Sequence, residues 1–405
     1  MSAHSFLTQI FGGNLINHYL CGMRNIVVSF LIAYSLVIHA DKDSIWLANG
    51  VLDSTQATTL GLSMAEGIET KTVFNATDDT DHYANGVVMT AFKGRLYCMW
   101  QSSPKDEDSD DSWVAYSISE DEGETWCPPI PLVKANKKEY YTSGGWHVIG
   151  DTLIAFIDTW TIGQVPRGGK TCYITSTDGL TWSKMEEVTM SDGSPMNGIL
   201  EQDPYPLPSR RLIGAAHFQP GLHVCPVYTD DPSGRSGWER GDFESEDRGK
   251  QSRELEPSQY IQTNGTIVML FRDQNSSFRK LASFSHNRGE TWTKPIVTNI
   301  PDARTKQCAG NLPDGTAYTV CCPVNSKQRY PLVILLSKDG QCFDHAYLLR
   351  SEGDDLPPRR YEGKYKTLGY NYPKAMIHNG WLYVSYSTNK EDVQYTRINI
   401  EGLNQ

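Results

Sequence analysis

The stretch Ser119-Glu-Asp-Glu-Gly-Glu-Thr-Trp126 decides the fold, because the same pattern returns at regular intervals along the chain. Written S-x-D-x-G-x-T-W, it recurs one residue shorter at Ser176–Trp182 and with Asn for Asp at Ser285–Trp292. Two less complete copies end at Trp238 and Phe343. The closing aromatics lie at 126, 182, 238, 292 and 343, so the steps between them are 56, 56, 54 and 51 residues. A nearly fixed period of this size predicts an array of similar units.

A second repeat marks the same units. Each copy of the first pattern predicts a tight turn whose acidic side chain binds backbone N–H groups and whose aromatic packs on a sheet. Between these copies, strand-like runs such as Thr266–Phe271 are rich in β-branched and aromatic residues. Six two-residue turn signals interrupt the runs: Lys93-Gly94, Gly150-Asp151, Pro208-Ser209, Asn264-Gly265, Asp314-Gly315 and Asn379-Gly380. The sequence therefore predicts an all-β fold, a single β-propeller of six four-stranded blades.

The last unit is incomplete by itself. It has three strand candidates, at residues 374–378, 381–386 and 393–400, and lacks a fourth. We expect Lys71-Thr-Val-Phe74 to supply the missing strand and close the ring. A seventh blade that uses Ile45–Leu52 is the alternative.

The repeats resemble the Asp-box repeats of sialidases and related β-propellers, from about Ser44 to the C-terminus. These boxes are structural elements in that superfamily. They indicate the fold and leave the chemistry open, because many activities share the architecture.

The N-terminal residues predict a leader. Met23-Arg24-Asn25 precedes an apolar run, Ile26–Ile38, that ends at His39-Ala40. This pattern is typical of a secretory signal peptide that starts at Met23 and is cleaved near Ala40; a frayed helix is the alternative. We therefore expect a leader over residues 1–40, a catalytic propeller over 41–405, a secreted or periplasmic protein, and no membrane span after cleavage.

The composition of the chain bears on its class of partner and on the role of its cysteines. The 405-residue chain has a formal net charge of −11, which argues against a nucleic-acid partner. Eight of its nine cysteines follow the leader, without metal-ligand spacing. Buried free thiols are the favoured interpretation over a disulfide framework, and a Cys127–Cys172 bridge stays open.

One segment carries most of the functional signal. Leu255-Glu256-Pro257-Ser258, followed by Arg272-Asp273, resembles the sialidase segment with a Glu and the second of three substrate-binding arginines. The resemblance implies that Glu256 is the charged partner of a catalytic Tyr, either Tyr370 or Tyr372. It also implies that Arg272 holds a sugar carboxylate, with Arg329 as a looser candidate for the third arginine. An internal ion pair of Glu256 with Arg272 is the structural alternative.

The first inner strand departs from the sialidase pattern. Sialidases have a motif like Tyr-Arg-Ile-Pro there, whereas this chain has His82-Tyr83-Ala84-Asn85. Met99–Ser103, Tyr372–Ala375 and Ser387–Asp392 resemble propeller enzymes that remove terminal L-rhamnose from glucuronic acid in arabinogalactan side chains. That resemblance implies a catalytic role for His82. An exo-α-sialidase with an altered arginine triad, or a non-catalytic carbohydrate-binding propeller, are the alternatives.

Two reactions fit these residues. In β-elimination, Arg272 neutralises the glucuronate carboxylate and a neutral His or a Tyr takes the C5 proton. In hydrolysis, a carboxyl pair flanks the bond, with Glu256 and either Asp203 or Asp273 as the candidates. The expected catalytic residues are His82, His147, Glu256 and Tyr370. The expected substrate-binding residues are Arg272, His217, Gln101, Tyr83, Trp160, Arg329 and Tyr372.

The expected ligand is an oligosaccharide or polysaccharide that contains a uronic acid. This chemistry requires no cofactor. The acidic run at residues 105–111 is interpreted as a solvated loop, and a structural calcium loop is the alternative.

Overall fold

The computed structural model describes residues 43–219, 223–243 and 254–403. The expected leader, residues 1–40 with its start at Met23, lies outside these residues. The unit that begins at Ile45 contains every element given below.

Strands make up almost all of the regular structure. They are β1 (Trp46–Leu47), β2 (Glu69–Phe74), β3 (Tyr83–Phe92), β4 (Arg95–Ser103), β5 (Trp113–Ser119), β6 (Ile130–Val133), β7 (Glu139–Ile149), β8 (Thr152–Thr161), β9 (Gly169–Ser176), β10 (Glu186–Glu187), β11 (Gly198–Leu200), β12 (Tyr205–Pro206), β13 (Leu212–Phe218), β14 (His223–Thr229), β15 (Glu239–Arg240), β16 (Asp242–Phe243), β17 (Glu254–Ile261), β18 (Ile267–Asp273), β19 (Arg279–Ser285), β20 (Thr291–Trp292), β21 (Ile296–Pro301), β22 (Cys308–Asn311), β23 (Ala317–Cys321), β24 (Leu332–Ser337), β25 (Cys342–Phe343), β26 (His345–Arg350), β27 (Tyr370–His378), β28 (Trp381–Thr388) and β29 (Asp392–Asn399). Two short 3-10 helices span Gly353–Asp355 and Ile400–Leu403.

Six antiparallel sheets form the blades of a propeller. In chain order they contain β3–β6, β7–β10, β11–β15, β17–β19 with β21, β22–β24 with β26, and β27–β29 with β2. All six predicted two-residue turns lie between the strands that they were expected to connect. The segment at Ile45–Leu52 adds no seventh blade, because β1 within it pairs only with β25, in parallel.

The N-terminal strand closes the ring. Strand β2 pairs antiparallel with β29, with Lys71 opposite Tyr395. The sixth sheet thus joins the two ends of the described chain, which confirms the prediction that residues near Lys71–Phe74 supply the missing strand.

The repeated turns have the predicted hydrogen bonds. In the first copy, the Asp121 carboxylate accepts hydrogen bonds from the Thr125 N–H at 2.9 Å and from the Thr125 hydroxyl at 2.6 Å, while Ser119 Oγ accepts from Gly123 N–H at 2.8 Å. The Thr125 and Ser119 hydrogen bonds lower the pKa of Asp121 to about 2. Trp126 Nε1 donates to the carbonyl of Gly123 at 3.1 Å, which ties the aromatic to the turn.

The depth of the closing Trp differs between copies and predicts its contribution to stability. Trp238 is fully buried and donates to the Gly234 carbonyl at 2.7 Å, whereas Trp126 is half-buried. We expect Trp238→Ala to lower the free energy of unfolding by about 3–5 kcal/mol, because it leaves a large cavity. Trp126→Ala, the matched control, should cost clearly less in urea unfolding. Equal losses would contradict the assignment of Trp238 as the deeper anchor.

The cysteines outside the leader are all free thiols, and five of the eight are buried in blades. Burial raises the pKa of the Cys308 thiol to about 12, which keeps it protonated and unreactive. The favoured interpretation of the cysteines is therefore confirmed, and Cys127 and Cys172 are not bridged.

Bulges on the inner strands position the residues at the channel mouth. The pairing register shifts between Leu255 and Ser258 in β17, and between Asn371 and Lys374 in β27. Glu256 and Tyr372 lie inside these bulges with φ of 51° and 56°. Bulges re-aim side chains, and positive φ at such bulky residues is uncommon. The two departures from regular strand geometry thus fall on two residues that the sequence indicates for chemistry.

Candidate functional site

A cavity of about 180 Å³ opens where the bulged inner strands meet the ends of the second strands. Its titratable lining residues are Glu107, Asp108, Asp158, Arg167, Glu201, His217, Glu256, Lys306 and Tyr372. Asn85, Gln101 and Trp160 also line it. The cavity therefore brings together the predicted Gln101, Trp160, His217, Glu256 and Tyr372.

Glu256, which lines the cavity, forms a buried ion pair with Arg272, which is not among the lining residues. Arg272 Nη1 donates to both carboxylate oxygens of Glu256, at 3.0 and 2.9 Å. The two residues are close because Leu255 of β17 pairs with Arg272 of β18. Burial raises the pKa of Glu256, but the Arg272 charge outweighs it, so this pKa lies below its ordinary value. Glu256 is therefore a carboxylate at neutral pH.

Side chains hold the backbone of Glu256 where the bulge interrupts the ladder. The Glu256 N–H donates to His217 Nε2 at 3.2 Å, and Gln307 Nε2 donates to the Glu256 carbonyl at 3.0 Å. Because His217 Nε2 accepts a hydrogen bond, the ring proton of a neutral His217 lies on Nδ1, which is 3.4 Å from Glu201 Oε1. His217 thus supports Glu256, in addition to lining the cavity.

Tyr372 lies beside the Glu256 carboxylate, whose pKa it lowers, and is surrounded by cations. Lys306 Nζ lies 5.5 Å from the centre of its ring, Arg329 Cζ 5.5 Å and Lys390 Nζ 5.4 Å. Burial, and then the Glu256 charge, raise the pKa of Tyr372 well above its ordinary value. The phenol is therefore protonated and faces an ionised acceptor.

The Arg329 and Arg272 charges both act on Tyr372, although neither residue lines the cavity. Arg329 is buried, and its Nη1 donates to Asn371 Oδ1 at 2.6 Å, next to Tyr372 in the chain. Arg272 Nε is buried and has no hydrogen-bond partner among the described atoms. A buried N–H without a partner costs free energy unless a ligand satisfies it.

The acidic run at residues 105–111 contributes to the site. Asp108 is held by Arg167 Nη2 at 2.7 Å, and Glu107 by Lys390 Nζ at 2.6 Å. Burial raises the pKa of Asp108, with Arg167 opposing that shift. The solvated-loop interpretation is wrong for Glu107 and Asp108, because the loop between β4 and β5 folds back over the mouth. Their partners on other blades, 59 and 283 residues away, leave no local signal in the sequence.

A second set of charges lies across the cavity from these. Lys306 Nζ contacts Glu201 Oε2 at 2.8 Å. Burial raises the pKa of Glu201, but Lys306 and His217 lower it to about 2. Asp158 is buried near Glu201, and burial raises the pKa of Asp158 well above its ordinary value. Asp158 therefore keeps its proton to a higher pH than an ordinary Asp does.

His82 does not line the cavity. Its ring stacks on Tyr361 with centroids 3.9 Å apart and 6° between the planes. His82, for which a catalytic role is expected, thus lies outside the cavity, because the ring of Tyr361 covers its imidazole. Tyr83 is fully buried, with its ring 5.9 Å from Lys390 Nζ, and also lies outside the lining.

His147 and Tyr370 are placed away from the cavity. Strand β7 begins at Glu139, so His147 lies beyond its bulge, where Nε2 contacts the Pro232 carbonyl at 2.8 Å. The Tyr370 hydroxyl donates to the Ser351 carbonyl at 2.7 Å, and its ring packs against Tyr386. Both residues, which are expected to be catalytic, thus lie outside the cavity lining.

The two Asp residues considered as partners of Glu256 are also elsewhere. Asp203 accepts from Trp146 N–H at 2.7 Å and lines a different cavity, together with Lys374. Asp273 accepts from the N–H groups of Asn275 and Ser277, within a turn. Neither lines the cavity beside Glu256, which contains Asp108 and Asp158 instead.

Two further observations bear on metals and membranes. Among the described residues, no group of three or more His, Cys, Asp or Glu side chains has the geometry to hold a metal ion. Within the same residues, the helices are all too short or too polar to cross a membrane.

The fold and the repeats agree with a known family. The BNR repeat-like domain family matches residues 94–384, which is most of the chain. The chain belongs to the BNR repeat-like domain family. No curated protein matches this BNR propeller significantly in sequence.

Solved structures resemble this BNR propeller in fold. A sialidase matches it with a TM-score of 0.63 at 20% identity, covering 88% of this chain and 35% of its own. The chain thus spans about a third of that protein. An intramolecular trans-sialidase from Ruminococcus gnavus, in complex with oseltamivir carboxylate, matches with a TM-score of 0.60 at 14% identity, covering 85% of this chain and all of its own. A Dyadobacter fermentans protein of unknown function matches with a TM-score of 0.61 at 14% identity, covering 82% of this chain and 99% of its own.

Proposed function

We propose that this BNR propeller is an exo-acting glycoside hydrolase that cleaves the bond of a terminal sugar next to a sugar carboxylate. The observation that carries the proposal is the ion pair of Glu256 with Arg272 beside Tyr372, with Glu256 and Tyr372 both lining the mouth cavity. These three residues place a nucleophile next to a base, and the base next to an anion-binding group. The sialidase and trans-sialidase names of its structural neighbours agree with glycan processing.

Tyr372 is the proposed nucleophile. A neutral phenol is a weak nucleophile and needs a base to take its proton during attack. Glu256 is an ionised carboxylate beside it and can accept that proton. As the phenolic oxygen bonds to the anomeric carbon, its proton passes to Glu256 and the glycosidic oxygen leaves. Water then cleaves the glycosyl-tyrosine, and Tyr372 recovers its proton.

A Tyr nucleophile suits an anionic sugar. A carboxylate nucleophile would be repelled by a substrate carboxylate beside the reacting carbon, whereas a neutral phenol is not. Arg272, Arg329, Lys306 and Lys390 all lie around Tyr372. Of these, Arg272 has a buried N–H without a partner among the described residues, so it can still bind an anion. These contacts support recognition of a carboxylate next to the scissile bond.

Asp108 is the proposed proton donor to the leaving oxygen. It lines the same cavity as Tyr372, its side chain is 27% exposed, and burial raises its pKa. A partly exposed carboxyl can reach an entering glycan, whereas Asp158 is almost wholly buried. Asp108 would protonate the leaving oxygen and then accept a proton from the attacking water.

Asp108→Asn should therefore affect substrates according to their leaving group. For a disaccharide, whose leaving oxygen needs a proton, we expect kcat/KM to fall by about 10²–10⁴-fold. For the matching aryl glycoside, whose leaving oxygen is weakly basic, the loss should be much smaller. Asp158→Asn is the control and should change the two rates little and equally. Equal large losses in Asp108→Asn would remove Asp108 as the acid.

Two substrates fit the proposed carboxylate. A sialoside carries its carboxylate on the anomeric carbon, and the direct contact of Glu256 with both Arg272 and Tyr372 favours it. L-Rhamnose-α-1,4-glucuronate of arabinogalactan-type glycans carries its carboxylate on the leaving sugar. The absence of arginine from residues 82–85 favours this second candidate.

Parallel assays separate these candidates from the alternatives. One measures release of a fluorogenic aryl group from sialic acid, and another measures release of rhamnose from rhamnosyl-glucuronate. Hydrolysis of either supports the proposal. An ultraviolet-absorbing product would reveal the conjugated double bond left by β-elimination and would overturn it. Glycan binding without turnover would favour a carbohydrate-binding propeller instead.

A further inference from the structure

Arg167 is held in place by three contacts on the rim of the cavity. Its guanidinium lies 4.2 Å from the Trp160 ring, and its Nε donates to the Tyr140 hydroxyl at 3.2 Å. Tyr140 and Trp160 are themselves stacked, with 7° between their ring planes. The third contact is the ion pair of Nη2 with Asp108 at 2.7 Å. Stacking fixes the plane of the guanidinium and the Tyr140 contact fixes its rotation within that plane.

Asp108 is bound by a side chain from another blade, Arg167. It has a φ of 56° between β4 and β5. The charged and titratable groups that act on it from the surrounding elements are Arg167, Tyr140, Glu107, Lys390 and Tyr83. Lys390 is paired with Glu107 at 2.6 Å, whereas Arg167 bonds directly to the Asp108 carboxyl. Arg167 is therefore the cation that orients this carboxyl.

We propose that Arg167 is a positioning residue that fixes the Asp108 carboxyl toward the leaving oxygen and sets the pH above which its proton is lost. This inference rests on the proposed function, in which Asp108 is the proton donor. Arg167 acts through Asp108. Its replacement should therefore slow substrates whose leaving oxygen needs a proton, and it should not weaken the binding of the sugar.

The sign of the pH effect follows from the charges. Burial raises the pKa of Asp108, and the Arg167 charge lowers it in part. Without Arg167, the pKa of Asp108 rises further. The basic limb of the kcat/KM profile reports deprotonation of the essential acid, so it moves to higher pH. At the same time the Asp108 carboxyl loses its fixed orientation. This loss lowers the plateau of the kcat/KM profile for a disaccharide by up to about 10²-fold.

The experiment compares Arg167→Ala and Arg167→Lys with the full-length wild type, on a disaccharide and on its matching aryl glycoside. We expect Arg167→Ala to lower the disaccharide plateau, leave the aryl glycoside within about threefold, and move the basic limb upward. Arg167→Lys keeps the positive charge, so the basic limb of its kcat/KM profile should stay at nearly the same pH as in the wild type. The Arg167 side chain is 43% exposed, and we expect the melting temperature to change little.

Two results would overturn the inference: an unmoved basic limb in Arg167→Ala, or equal losses on both substrates. A rise in KM on both would instead indicate that Arg167 binds the sugar directly. Failure of the proposed function has a different signature. If Tyr372→Phe is inactive and Asp108→Asn shows the expected dependence on the leaving group, but Arg167→Ala behaves like wild type, only the present inference fails. If Tyr372→Phe is fully active, the proposed nucleophile fails.

Discussion

Replacing Tyr372 by Phe is expected to lower kcat by at least about 10⁴-fold, because the nucleophilic oxygen is lost and its base has nothing to activate. The aromatic ring remains, so the contacts of the Lys306, Arg329 and Lys390 cations with it are kept. Substrate binding should persist, since the arginines are unchanged. Steady-state kinetics and isothermal titration with the product sugar measure the two effects separately.

Tyr370→Phe is the matched control for that variant. It removes a hydroxyl two residues away, which donates to the carbonyls of Ser351 and Asp355. We expect a loss of about 1–3 kcal/mol in stability, because two buried carbonyls lose a donor, with kcat unchanged. A fall in kcat in Tyr370→Phe comparable with that in Tyr372→Phe would reverse the assignment of the two tyrosines.

The second large effect is expected for Arg272→Ala. The apparent KM should rise by about 10²-fold, because a charged hydrogen bond contributes roughly 1.5–3 kcal/mol. Stability should also fall by about 3–5 kcal/mol, because Glu256 is left as a buried charge without its partner. Urea unfolding and steady-state kinetics measure the two losses.

Two companion variants separate binding from stability. Arg272→Lys restores a charge beside Glu256 but lacks the planar fork, so stability should recover more than KM. In Arg272→Ala with Glu256→Gln, removal of the buried charge should restore part of the stability without restoring activity. Normal substrate binding in Arg272→Ala would contradict the role of Arg272 in holding a carboxylate.

The fold was predictable because its signals are local and repeated. Each Asp-box turn, such as Ser119–Trp126, is built from residues within eight positions, and six copies of a hairpin signal count the blades. Even the ring closure by Lys71–Phe74 followed from a missing strand in the last unit. The boundaries of the inner strands were less accessible, as the early start of β7 at Glu139 illustrates.

The site was predictable where its residues are close in sequence. Glu256 and Arg272 lie on two strands joined by one hairpin, so their contact follows from the pairing of β17 with β18. Asp108 and Arg167 come from different blades and meet only because the ring brings loops together. Their charges lie in stretches that, read locally, resemble ordinary solvated loops.

The bulges explain the remaining differences. A shift of one residue in a strand moves a side chain to the other face, and sequence does not locate the bulge. Thus Tyr372 contacts Glu256 whereas Tyr370, two residues earlier, packs into the core. His82 is covered by the ring of Tyr361, which lies on a loop almost 280 residues later in the chain.

Mass spectrometry of protein quenched in acid during turnover tests the central claim most directly. With an aryl glycoside of the sugar that the assays identify, the account predicts a covalent adduct of one glycosyl residue on the peptide that contains Tyr372. The adduct should be absent from Tyr372→Phe and present in Tyr370→Phe. An adduct on another side chain, or turnover to a product with inverted anomeric configuration, would contradict the account.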